Sequence, residues 1–224
     1  AMVFRDFREG SLEVYRFRAV TGAELPARAR EWFERHTPDF EGLGFRRVGD
    51  FALKERSEHF GRYFIDAEGD VIGEIAWVRS LPWRTQRCYV FLSVADDLTY
   101  LETGNVSLPV ERFEGRFVLQ GVPGATAAEA LEAHRGRLAK LLEQRGTTAL
   151  RLAAEGIEKA ALYGQKLCYA RLEERGLIAS NPYDDVTLDF SRKDGVEATA
   201  GEGSGPPPID TADDWRSPDP VGSV

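Results

Sequence analysis

Cysteine, methionine and histidine are nearly missing from this chain of 224 residues: two, one and three copies. Cys88 and Cys168 are too few for a disulfide framework and lack metal-type spacing, so both read as reduced, buried thiols. His36, His59 and His134 are too scattered for a local metal cluster. No metal and no cofactor is expected. Lysine is scarce as well, standing only at positions 54, 140, 159, 166 and 193. The positive charge is therefore nearly all arginine, which favours planar, bidentate contacts with anions. The overall balance is acidic, with a net charge of −8 and an isoelectric point near 5.1. Nucleic-acid binding needs a basic footprint, so that class is excluded as an expectation.

Several signatures of chemistry are absent. There is no phosphate-binding Gly-x-x-x-x-Gly-Lys loop, no Gly-x-Gly-x-x-Gly after a strand, no His-Glu-x-x-His and no Gly-x-Ser-x-Gly elbow. An enzyme built on this chain would assemble its site from residues far apart in sequence. No apolar run reaches the roughly 18–20 residues that span a bilayer. Residues 1–9 hold no signal-peptide core. A cytoplasmic protein is expected on these grounds. Ala1 ahead of Met2 reads as a remnant and leaves room for a trimmed N-terminal anchor.

What is present has an order. Residues 11–20 (SLEVYRFRAV) alternate as a strand does. Thr21 and Glu24 make a capping-box pattern, with Pro26 in the first helical turn. Leu25, Ala29, Trp32, Phe33 and His36 then share one helical face, and the helix is expected to stop at Thr37-Pro38. Residues 45–122 read as an antiparallel meander, with a hairpin turn at residues 66–70. After it come a helix opened by Thr126 and Glu129 and closed by Gly146, then a longer helix over about 148–175. These elements give an α+β class: an antiparallel sheet of about six or seven strands, packed against one N-terminal and two C-terminal helices. Residues 1–190 form a single domain in this reading. Residues 191–224, rich in Gly, Pro, Ser and Asp, form an acidic flexible tail.

Candidate site residues follow from polar groups in apolar settings. His134 lies on the apolar stripe of the first C-terminal helix, as a general base or as a hydrogen-bonded core histidine. Glu74 shares a strand face with Ile72, Ala76 and Val78, and a carboxylate there is paired, raised in pKa or turned to solvent. Glu102 precedes Thr103-Gly104-Asn105, which reads as a turn or as a set of ligand donors. The aromatics Trp77, Tyr89 and Phe91 mark a wall for a small apolar ligand. Arg84 and Arg87 around Trp83 make one basic aromatic loop suited to an acidic partner. In the tail, Ile209 and Trp215 sit in an acidic docking segment. The carboxylates at 66, 68, 70, 96 and 97 read as solvated turns, too closely spaced for a calcium loop.

Residues 43–51 (LGFRRVGDF), the later ETGN at 102–105 and the helical His134 resemble a family of uncharacterised bacterial proteins to which no activity is attached. The order of elements is similar to the helix-grip (START/Bet v1-like) topology, which implies an apolar ligand between a curved sheet and a long helix. The leading functional expectation is a non-catalytic binding or assembly domain whose C-terminal tail docks on a protein partner. The alternative is a small-molecule carrier or an enzyme with a cavity between sheet and helix involving His134.

Overall fold

The computed structural model describes residues 17–53, 58–81, 84–107, 111–113, 115–186, 188 and 190. Eight strands and three helices follow one another: β1 (Phe17–Val20), α1 (Ala27–Gly42), β2 (Arg46–Leu53), β3 (Glu58–Ile65), β4 (Ile72–Leu81), β5 (Arg84–Val94), β6 (Tyr100–Gly104), β7 (Glu111–Phe113), β8 (Phe117–Gly121), α2 (Ala127–Arg145) and α3 (Gly156–Glu174). All strands join one sheet in the order β1-β2-β3-β4-β5-β6-β8-β7. The expected α+β class, with one early and two late helices, is what forms. The sheet exceeds the expected six or seven strands because of the three-residue β7. The meander also ends differently: β8 turns back from β7 and slips between it and β6, pairing with β6 in parallel.

Side chains alternate between the two faces of a strand, and here both faces are apolar. Phe64, Ile75, Trp77, Phe91, Leu101 and Val118 point to one face, where α1 and α2 cover them. Tyr63, Ile65, Ile72, Leu92, Tyr100 and Phe117 point to the other, which packs with Ile157, Ala160 and Tyr163 of α3. The two C-terminal helices lie on opposite faces of the sheet. The sheet is covered on both sides rather than wrapped round one long helix.

Helix α1 runs through Thr37-Pro38 to Gly42, four residues beyond the expected stop. Proline removes the donor for the Glu34 carbonyl, which lies on an exposed residue. Burial of the next turn outweighs that loss: Phe40 is fully buried and stacks on Phe64 and Phe91 at 4.8 and 5.3 Å. The Glu24 carboxylate accepts from the Thr21 amide and hydroxyl, but the Glu24 amide donates to the Thr21 carbonyl, so the pair closes a turn ahead of α1, which starts only after Pro26. Thr126 and Glu129 form the expected capping box, and Gly146 closes α2 in the left-handed conformation.

The expected helix over 148–175 is split. Residues 147–155 form a strap across the end of the sheet, extended at first and turning into α3 over its last three residues. Ala149 bridges Ala95, the Leu150 amide donates to the Val94 carbonyl at 2.8 Å, and the Leu152 amide donates to the Gly69 carbonyl at 2.7 Å. Leu150 and Leu152, which fall within the expected helix, are buried from this strap instead. The strap carries the chain from the α1/α2 face to the α3 face. Tyr169 and Leu172 in the last turns of α3 pack with Ile178 and Tyr183 beyond it in a small satellite core.

Residues 11–16 of the first expected strand, Trp83, and the tail with Ile209 and Trp215 lie outside the described residues, as does the side chain of Arg84. Among the described residues no helix is long and apolar enough to cross a membrane.

Candidate functional site

Three polar clusters stand against the apolar layers. The first centres on His134, which α2 drives into the sheet until none of it is exposed. Its Nε2 lies 3.0 Å from Ser93 Oγ and its Nδ1 lies 3.1 Å from Thr103 Oγ1. Ser93 donates its own hydroxyl proton to the Asp70 carbonyl at 2.6 Å, so it must accept from Nε2–H. Thr103 then donates to Nδ1, an assignment made from the bond network. Burial, together with Arg135 and Arg137, pushes the imidazole down to about 3. His134 is thus a neutral, doubly bonded core residue. Thr103 and Asn105 are spent in the same way: Asn105 accepts from the Tyr89 amide and donates to the Ala125 carbonyl. The ETGN stretch pins α2 to the sheet.

The aromatics read as a ligand wall share this face and are consumed by packing. Tyr89 stacks on Trp32 at 5.8 Å, Phe91 packs between Phe40 and Phe45, and Trp77 meets Phe60 at 6.0 Å.

The second cluster lies on the opposite face. Glu74 and Glu102 stand two strands apart, on either side of β5, and point the same way: Glu74 pairs across to Val90, and Glu102 to Leu92. His134 is on the far side of the sheet from both, so the three catalytic candidates do not meet. Glu74 leans over β3, where His59 Nε2 lies 3.1 Å from its Oε1 and the Tyr63 hydroxyl bonds to it. Gly61 makes this possible, because a β-carbon there would lie 2.4 Å from Oε1. Glu102 accepts from the Tyr100 hydroxyl at 2.9 Å. Gly164 of α3 provides the space for that hydroxyl, with a β-carbon otherwise 2.5 Å away. Cys88 is buried on the same face.

The electrostatics of this cluster are one-sided. Burial, and then the Glu74 charge, lift the Glu102 carboxyl to about 7, although part of its surface still meets solvent. Burial and the nearby carboxylates hold the phenols of Tyr63 and Tyr100 and the Cys88 thiol well above their usual values, so all three stay protonated. No lysine or arginine is among the partners of either carboxylate in the described residues.

The third cluster is a recess on α1, lined by Arg28, Glu31, Trp32, Arg35 and Arg87. Arg87 was expected to work with Trp83; among the described residues it lies over the ring of Trp32, 5.8 Å from its centroid. A separate acidic group, Asp66, Glu68 and Asp70, brings three carboxylates together at the β3–β4 turn. Asp66 Oδ1 there accepts the amides of Gly69, Asp70 and Val71, which fixes the hairpin.

Sequence reading missed His59, Tyr63 and Tyr100 as members of the glutamate cluster. The signal was available in the hairpin: a turn at 66–70 sets Tyr63 opposite Glu74. Comparison of the chain with protein-family models, with curated proteins and with solved structures finds no match.

Proposed function

We propose that this chain is a non-catalytic binding domain whose ligand is a small organic cation, held between Glu74 and Glu102 on the α3 side of the sheet. One observation carries the reading: two carboxylates stand on one face of the sheet in a largely buried setting, with neutral phenols, a thiol and one imidazole as company and no arginine or lysine among their partners in the described residues. Buried carboxylates are expensive unless matched by positive charge. The raised carboxyl of Glu102 means that a proton fills the role of the missing cation. An ammonium or guanidinium group would replace that proton. The ligand is an extended cation rather than a metal ion, because among the described residues the only three metal-type donors lying together are Asp66, Glu68 and Asp70.

Native mass spectrometry of the protein isolated from its own cell tests for a retained ligand. Titration with putrescine, guanidinium and tetramethylammonium, followed by calorimetry, tests the class. Saturable binding that strengthens as pH rises through 7, and that Glu102→Gln removes, is the expected result. No retained mass and no saturable binding of any of the three would sink the proposal.

A second reading rests on the same carboxyl. A glutamic acid that titrates near 7 is suited to proton transfer at neutral pH, which favours an acid–base enzyme. A Glu102→Gln protein that still binds the ligand but no longer converts it would establish this reading over the first. The assembly reading, with the segment at 208–215 docking on a protein partner, is a separate proposal resting on sequence alone. Removing residues 200–224 should then weaken recovery of that partner.

A further inference from the structure

The recess on α1 lies on the other face of the sheet from the glutamate cluster and is independent of it. Its rim holds three guanidinium groups, Arg28, Arg35 and Arg87, against one carboxylate, Glu31. Arg35 is 3.0 Å from Glu31, which neutralises one of the three. Arg28 has no ion pair among the described residues, and Arg87 only its ring contact with Trp32. The local charge is therefore +2 on a chain whose net charge is −8. Trp32 forms the floor; its ring is braced by Tyr89 and His36, and its indole Nε1 has no hydrogen-bond partner. This is a packed aromatic base under exposed, positively charged walls.

We propose that this recess binds a phosphate-type dianion, as the free ion or as a small phosphate monoester. Size supports the choice. The space is about 150 Å³, roughly the volume of five waters, which suits a single oxyanion and is too small for a folded segment. Charge supports it too, since two unbalanced positive charges match a dianion. Three arginine forks present more donors than the two oxygens of one carboxylate can accept, whereas phosphate offers oxygens on several sides. The acidic remainder of the molecule repels large anionic surfaces, while a compact ion inside the rim feels mainly the nearby arginines, because salt screens charges beyond about 8 Å.

The test uses the full chain and arginine and indole side-chain NMR. Sodium phosphate is titrated in at constant ionic strength, with chloride as the balancing ion. Phenyl phosphate and glutamate are titrated in parallel. Saturable shifts of the Arg28, Arg35 and Arg87 Nε–H and of Trp32 Nε1–H are expected, with half-saturation in the millimolar range. Arg87→Gln should weaken binding about tenfold, Arg87→Lys less, and Arg30→Gln, an exposed arginine on the same helix, not at all. Equal saturation by phosphate and phenyl phosphate assigns the site to the ion, and tighter saturation by the ester assigns it to a monoester; both support the proposal. Shifts that rise linearly without saturating, or glutamate binding as tightly as phosphate, overturn it. All the substituted residues are exposed, so loss of folding does not confuse the outcome.

Discussion

The carboxylate of Glu74 lies directly over the α-carbon of Gly61 on the neighbouring strand, in space that any other residue would fill. Gly61→Ala places a methyl 2.4 Å from Glu74 Oε1 and 2.7 Å from the Tyr63 ring. Both must shift, and overpacking of this kind costs about 1–3 kcal/mol. Urea unfolding of the single variant should show that loss. The double variant Gly61→Ala/Glu74→Ala should lose less than the sum of the two single changes, because the second change removes the clash. Strict additivity would mean that Glu74 does not occupy that space.

Glu102 makes stability depend on pH in an unusual direction for a glutamate. The folded protein keeps its proton to about 7, whereas the unfolded chain releases it near 4.5. Folding is therefore favoured by the proton: the contribution is complete below 4.5 and is lost as pH rises towards 7. Its size is at most on the order of 3 kcal/mol. Asp70, raised to about 6 by burial and by its bond with Asp66, adds a term of the same sign. Denaturant unfolding from pH 4.5 to 8 should show stability falling across this window in the parent protein and falling less in Glu102→Gln. An unchanged slope in the variant would contradict the assignment.

His134 acts in the opposite sense. Its folded value near 3 lies below the ordinary 6.5, so the unfolded chain takes up the proton first. Its contribution is present above 6.5 and lost as pH falls towards 3. His134→Leu leaves Thr103 without its acceptor and should cost about 1–3 kcal/mol at neutral pH. His134→Gln, which can still donate to Ser93 and accept from Thr103, should cost less. Both should flatten the acid limb of the stability profile measured by thermal unfolding.

Arg62 is the most deeply buried charge described, 1% exposed. It reaches Asp50 through two bonds of 2.8 and 3.0 Å, Thr37 at 2.8 Å and Glu34 at 2.9 Å, so it ties β2, β3 and α1 together. Arg62→Ala leaves the buried Asp50 carboxylate with only the more exposed Arg47 as an ionic partner, at 2.9 Å, and should cost about 3 kcal/mol, the low end for a broken buried pair. Arg62→Ala/Asp50→Ala should be less damaging than the two single costs combined, by about 0.5–3 kcal/mol in a double-mutant cycle.

Local signals carried much of the fold. The capping box at Thr126, the glycine at 146 and the turn at 66–70 are short-range features, and each forms where its residues direct. Signals that compete with tertiary packing misled. Pro38 marks a helix end, yet burial of Phe40 carries the helix past it. Leu150, Ala153, Ala154 and Ile157 fit a helical period, but Leu150 and Leu152 belong to an extended strap held by sheet carbonyls. The candidate site was half legible. Glu74 and Glu102 stood out as carboxylates in apolar strands, and the strand alternation puts them on a common face. That His134 faces away depends on which side of the sheet α2 packs, and apolar residues on both faces of β4 and β5 leave that choice open in the sequence.

The strap at 147–155 makes α3 a lid on a leash. Because it joins the layers by a short covalent run, α3 is presented to the sheet face that carries Tyr100 and Phe117 at a local concentration of millimolar order or more. A protease nick in that run would leave every site residue intact, yet on dilution it would let the helix drift away and open the cluster to water. Cover of the Tyr100 hydroxyl, and of the Glu102 carboxylate it bonds, thereby depends on a stretch of backbone that bonds to neither of them.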